Sequence, residues 1–129
     1  MTQAVGIKAG LRVSLSNWHR EIPEGMPNIT VVKTDVGFSG EGYIVVSGIK
    51  RGQKIIIIDE LLSTGGTLIS LIKAAKESGA IITGAFFLGE KVNKGGRERI
   101  AKEFPDVKIK SIVKFIGEAE NKVTIDADI

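Results

Sequence analysis

Cysteine is absent from this chain of 129 residues, and histidine occurs once, at His19. Disulfides and thiolate metal sites are therefore excluded, a zinc cluster has no ligand set, and any metal must be held by oxygen. Long apolar runs are missing too. The longest, around residues 55–58 and 85–88, fall far short of the ~20 residues a membrane-spanning helix needs. The opening MTQAVGIKAGLRVSL is too short and too broken in its apolar block for a secretory signal, so a cytoplasmic protein without membrane association is expected. Blocks of like charge are also lacking: 18 Lys and Arg are interspersed with 15 Asp and Glu, for a net charge of +3. A nucleic-acid binder more often clusters its cations, so no nucleic-acid partner is expected. The balance suits a phosphorylated ligand or plain solubility. No solenoid-length repeat or low-complexity tract occurs.

What is present points to folding. Apolar residues make up 43% of the chain and charged residues 26%, near the average for globular proteins and far from the profile of disorder. One domain over residues 1–129 is expected, of a size that buries roughly two-thirds of its unfolded surface. ITVVKT and GYIVVSG have strand character, separated by Gly-rich breaks, and could pair as antiparallel neighbours in one long excursion. KIIIID is apolar throughout, the pattern of a central strand covered on both faces. Leu68, Leu71, Ile72 and Ala75 share a helical face, and Gly79 is placed to stop that helix. AIITGAFFLG, a short helix over about 96–104 closed by Pro105, VKIKSIVKF and NKVTID complete the series. Strand and helix alternate, which predicts an α/β fold: a mostly parallel twisted sheet with helices on both faces and right-handed crossovers.

The densest chemistry lies in KIIIIDELLSTGGTLISLIKAAKESG. In open parallel sheets ligands gather outside the carboxyl ends of the strands, where Asp59 and Glu60 fall. Two neighbouring acids there cost desolvation unless hydroxyls or a cation meet them, and a sugar diol is a good partner. Ser63, Thr64, Gly65, Gly66 and Thr67 then lead into a helix whose first turn has backbone N–H groups without intrahelical partners. Glycines let backbone wrap an anion, hydroxyls add donors, and the helix dipole favours negative charge. Acids for a diol followed by a phosphate cradle describe a ribose 5-phosphate held at both ends. Taken singly, Ser63 or Thr64 could be only a helix cap, the glycines only a turn and the acids only first-turn charges. A Walker loop is excluded, because no Gly-Lys-Ser/Thr follows, and the dinucleotide fingerprint lacks its glycine spacing and distal acid.

IIIIDELLSTGGTL closely resembles the phosphoribosyl-pyrophosphate (PRPP) motif of type I phosphoribosyltransferases: hydrophobic strand, two acids, two apolar residues, a small residue, then Thr-Gly-Gly-Thr. FFLGEKVNKGGRERI is similar, more weakly, to the segment of adenine phosphoribosyltransferases in which a strand ends in an acid and Gly-Arg begins a helix. LRVSL and the polar excursion after it look like the family's second strand and flexible loop, so the resemblance covers nearly the whole chain, nearest to adenine or hypoxanthine enzymes. It implies a purine phosphoribosyltransferase of nucleotide salvage that moves the phosphoribosyl group of PRPP onto adenine or hypoxanthine/guanine and releases pyrophosphate. It implies Mg²⁺ as cofactor, bound largely by PRPP oxygens with no metal-ligating residue assigned, and a homodimer. Asp59 and Glu60 would be the catalytic pair at the ribose hydroxyls, with Leu62, Ser63, Thr64, Gly65, Gly66 and Thr67 completing the PRPP site. The alternative is a non-catalytic PRPP- or nucleotide-binding regulatory module of the same family. A PRPP synthetase piece shares the Ser-Thr-Gly-Gly-Thr loop, but those chains are longer and duplicated.

Two departures from the family pattern matter. In some 6-oxopurine members the position of Ser63 is an acid that assists at the purine ring; serine leaves the base open. The family's first core strand, whose loop grips pyrophosphate, has no counterpart in MTQAVGIKAG, which has the character of a helix tail ending at Gly10. An N-terminally shortened domain with impaired activity is therefore the expectation. Residues 18–42 have the length and Gly/Pro content of a lid. Within them Arg20 and Lys33, and just beyond them Tyr43, could approach pyrophosphate or base, or sit on an exposed loop. Trp18 and His19 could stack on a purine or pack beneath the loop, and Lys91 could face the base or solvent.

Overall fold

The computed structural model describes residues 1–36, 40–116 and 123–125. Among the described residues seven strands and three helices follow one another: α1 (Thr2–Ala9), β1 (Ser16–His19), β2 (Ile29–Val36), β3 (Gly40–Ser47), β4 (Lys54–Leu62), α2 (Gly66–Glu77), β5 (Ile81–Lys91), α3 (Gly96–Glu103), β6 (Ile109–Phe115) and β7 (Val123–Ile125). A single 3₁₀ turn, Val92–Lys94, precedes α3. Among the described residues no helix is long and apolar enough to cross a membrane. The chain forms two compact units, one of Thr2–Ile55 with Gly66–Ile82, the other of Ile56–Gly65 with the chain from Thr83 onward.

In the first unit, β1, β3 and β2 form an antiparallel sheet with β3 in the middle. β2 and β3 pair from Ile29 opposite Ser47 to Val36 opposite Gly40, so the two expected neighbours are a hairpin. Its tip at residues 37–39 lies outside the described residues. The excursion is thus largely sheet, and Trp18 belongs to β1, opposite Ile44. α2 lies against β2 and β3. Ile44, Val46 and Ala74 are its buried centre, with Trp18, Val32, Ile49 and Leu71 packed around them. Two hydroxyl pairs tie helix to sheet: Thr34 with Ser70, and Ser78 Oγ to Thr30 Oγ1 at 2.6 Å. Both satisfy polar groups that burial would otherwise penalise. The buried stripe of α2 is wider than the spacing predicted, taking in Ile69, Ser70 and Ala74, while Leu71 is only half-buried. α2 stops where expected, at Gly79 with φ +78°, a backbone region that L side chains rarely adopt. α1 also ends as predicted, at Gly10, with the Leu11 N–H donating to the Gly6 carbonyl at 2.8 Å.

In the second unit the strand order is β4-β5-β6-β7. The first three strands are parallel and β7 runs antiparallel to β6, which confirms an α/β fold. The core holds Leu62, Phe87, Ile100, Phe104 and Val107, none more than 9% exposed. Burying a side chain such as Ile100 contributes roughly 1.5–3 kcal/mol. β4 corrects one expectation: it is not central but stands at the end of this order, and Ile56 is 47% exposed. An unbroken apolar run signals little tolerance for water; it carries no information about which hydrogen-bonding edge is paired. β5 alternates, with Ala85, Phe87 and Gly89 turned inward and Phe86 and Leu88 exposed. Gly89 is required by packing, since a Cβ there would stand 2.7 Å from the Phe115 ring.

Candidate functional site

β4 delivers the two acids near its carboxyl end and then buries Leu62, 2% exposed, as an anchor. Asp59 is half-buried and Glu60 exposed, and the Glu60 N–H donates to Asp59 Oδ1 at 2.9 Å. Burial, followed by the Glu60 carboxyl close enough to share a proton, pushes the Asp59 carboxyl up to about 6. The same interaction holds Glu60 below its ordinary value, so the two carboxyls titrate as a coupled pair. Such a pair is a poorly compensated concentration of negative charge at neutral pH, suited to hydroxyl donors or a cation.

Ser63, Thr64 and Gly65 make the turn that follows, and α2 begins at Gly66. Gly65 has φ +79°, the left-handed conformation that glycine tolerates best. The boundary between the two units falls between Gly65 and Gly66. Among the described residues none hydrogen-bonds the hydroxyls of Ser63, Thr64 or Thr67, so no hydroxyl of this run is spent as a helix cap. Two side chains reach carbonyls of this run: Arg99 Nη1 donates to that of Thr64 at 3.4 Å and Ser70 Oγ to that of Gly66 at 3.1 Å.

The underside of the turn is α3. Gly96, its first residue, is buried, and a Cβ there would overlap the Ser63 carbonyl oxygen and stand 3.0 Å from the Gly65 nitrogen. Behind it, Arg97 grips Glu90 with two bonds, Nε to Oε1 at 2.9 Å and Nη2 to Oε2 at 2.5 Å. Arg97 also donates to the Ile109 carbonyl at 2.9 Å and to Ser111 Oγ at 3.2 Å, while Ser111 donates to Glu90 at 2.7 Å. Burial alone would raise the Glu90 carboxyl; bonds from Arg97 and Ser111, with the charges of Arg97 and Lys114, overcome it and hold the group below its ordinary value. Glu90, Gly96 and Ser111 escape a reading based on the loop alone. Their sequence signal is the acid ending β5 and the Gly-Arg opening α3.

The remaining candidates divide. Trp18 packs against the core cluster of the hairpin sheet, its indole so close to Gly42 that a Cβ there would stand 2.6 Å away. His19 and Tyr43 are half-buried register partners, Arg20 is exposed, and Lys33 pairs with Glu41 at 3.3 Å on the surface. Lys91 is exposed at the end of β5. Among the described residues no group of three or more acids and histidines could cage a metal. Asp59 and Glu60 nevertheless suit Mg²⁺, which takes one or two carboxylates along with substrate phosphate oxygens.

Residues 12–124 match the phosphoribosyl transferase domain. Over 94 residues the chain is 37% identical to a hypoxanthine/guanine phosphoribosyltransferase of Methanococcus maripaludis, covering 73% of this chain and 48% of that protein. A hypoxanthine/guanine phosphoribosyltransferase of Methanocaldococcus infernus is 34% identical over 134 residues, covering 95% of this chain and 67% of that one. In fold, the chain resembles the adenine phosphoribosyltransferase of Thermoanaerobacter pseudethanolicus with a TM-score of 0.72 at 23% identity, over 88% of this chain and 62% of that one. The chain spans about half the length of most of the curated relatives it matches. With an acid pair, a glycine-containing turn and the start of a helix in immediate succession inside a match of this extent, the chain belongs to the phosphoribosyl transferase domain family.

Proposed function

We propose that this protein transfers the 5-phosphoribosyl group of PRPP to a purine, hypoxanthine or guanine first, releasing pyrophosphate in nucleotide salvage. The observation that carries this reading is the adjacent Asp59–Glu60 pair, with the Asp59 carboxyl pushed up to about 6, followed directly by hydroxyls with no protein partner among the described residues. The choice of purine follows the relatives that share about a third of its residues. In the transfer, the bond from C1 to the pyrophosphate oxygen breaks, the bond from C1 to a purine nitrogen forms, and the purine N–H proton is released. Positive charge develops on the ribose as the leaving group departs, and ionised Asp59 and Glu60 beside the ribose hydroxyls stabilise it. Above about pH 6 both carboxyls are ionised, so this stabilisation is available at neutral pH. Ser63, Thr64, Gly65, Gly66 and Thr67 take the 5-phosphate through amides and hydroxyls, with Leu62 contributing backbone. Mg²⁺, when bound beside Asp59 and Glu60, neutralises charge on the pyrophosphate.

We take the two units to be one phosphoribosyltransferase-like domain, working in the cytoplasm as a homodimer. The test is Mg²⁺-dependent consumption of PRPP with adenine, hypoxanthine, guanine, xanthine and orotate in turn. Turnover with a purine is expected, and Asp59→Asn with Glu60→Gln should lower it by at least ~100-fold. Full turnover in that double variant would refute the proposal. Tight PRPP binding in calorimetry with no product from any base would instead assign the chain a regulatory binding role.

A further inference from the structure

A loop that binds phosphate through backbone amides must hold those amides in one shape before the ligand arrives, because flexible amides spend binding free energy on ordering. Nothing in Ser63, Thr64 and Gly65 themselves supplies that rigidity: Gly65 is the most permissive residue type and the two hydroxyls have no protein partner among the described residues. The contacts that restrain them come from α3. The Gly96 backbone meets the Ser63 carbonyl and the Gly65 nitrogen so closely that no Cβ fits. From the other side, a Cβ at Gly65 would stand 3.2 Å from the Gly96 carbonyl oxygen and 3.3 Å from Ile100 Cδ1, and Ile100 is fully buried. Arg99 adds its long bond to the Thr64 carbonyl.

A platform is only as firm as its own mounting. α3 has eight residues, too short to persist on helix propensity alone. Its first turn is fastened by Arg97, which reaches Glu90 on β5 and both Ile109 and Ser111 on β6. The bidentate fork fixes the guanidinium plane, and with it the azimuth at which Gly96 faces the loop.

We propose that Glu90, Gly96, Arg97 and Ile100 are positioning residues for the PRPP 5-phosphate: they touch no ligand atom, but set the backbone shape of residues 63–65. This rests on reading that run as the phosphate-binding loop.

The experiment compares wild type with Gly96→Ala, Ile100→Val and Arg97→Lys. It measures calorimetric affinity for ribose 5-phosphate and for PRPP with Mg²⁺, the KM for PRPP, the KM for the purine, and the melting temperature. Gly96→Ala should weaken ribose 5-phosphate and raise the PRPP KM by ~10-fold or more, with the purine KM within about twofold. Arg97→Lys keeps the charge but loses the fork, and should follow at roughly three- to tenfold. Ile100→Val removes only the methyl against Gly65 and should show about threefold. A merely structural role would lower the melting temperature and the active fraction while leaving the PRPP KM unchanged, and that pattern overturns the proposal. If Gly96→Ala does not fold, Ile100→Val and Arg97→Lys decide it by the same criterion. Wild type that binds neither ribose 5-phosphate nor PRPP would instead remove the reading of the loop itself.

Discussion

Two carboxylate sites in the same unit behave in opposite ways. Glu90 is almost wholly buried, 3% exposed, yet its carboxyl is held below its ordinary value; Asp59 is only half-buried, yet its carboxyl is pushed up to about 6. Depth of burial alone predicts the reverse order. Burial raises both carboxyls, and the partner decides whether that rise is overcome or added to. Glu90 faces a guanidinium fork and a hydroxyl, whereas Asp59 faces another acid. A buried acid with all its oxygens engaged belongs to the scaffold; a half-buried acid beside a like charge is stabilised only when something from outside meets it. That contrast separates the platform from the candidate site more sharply than position in the chain does.

Removing the cation of the buried pair should have the largest effect. Arg97→Ala leaves Glu90 buried, with the Ser111 bond and the Lys114 charge still in place, and should cost about 3 kcal/mol, read from urea denaturation at pH 7. A loss under about 1 kcal/mol would show that the buried pair is not the mounting of α3. A pH series then separates the two acids. The contribution of Glu90, whose carboxyl is depressed on folding, is complete above its unfolded value and is lost as pH falls through the folded one. That of Asp59 has the opposite sign, present below its unfolded value of 3.8 and lost as pH rises through about 6. Asp59→Asn should therefore flatten the decline in stability between about pH 4 and pH 6. At pH 8 it should be more stable than wild type by on the order of 1 kcal/mol after solvent screening. A melt showing Asp59→Asn less stable at pH 8 would contradict the assignment. Smallest of all is Lys33→Ala. Its pair with Glu41 stands in water, with side chains 64% and 75% exposed, so the change should stay within ~0.5 kcal/mol and leave PRPP affinity untouched.

Much of this was legible in the residues themselves. The hairpin pair, the helix stop at Gly79 and the strand carrying the acids follow from local chemistry: glycine where φ turns positive, β-branched residues where strands form. The acid pair and the glycine turn were legible for the same reason, since they are neighbours in the chain. The edge place of β4 was not, because an isoleucine run has the same composition whether one or two of its edges are paired. Nor was the role of Trp18, which its residue type left open between stacking on a ligand and filling a core.

The amino acids alone determined which groups the proposed function sets against a ribose and a phosphate, because those groups lie within nine consecutive positions from Asp59 to Thr67. Only the tertiary structure decided what packs against that turn and which carboxyl has its proton affinity raised. Residues Ser63 and Gly96, or Glu90 and Ser111, are distant in sequence and meet only when strands and helix close around them, and the local dielectric and partner charge that set a carboxylate's proton affinity exist only once they have met.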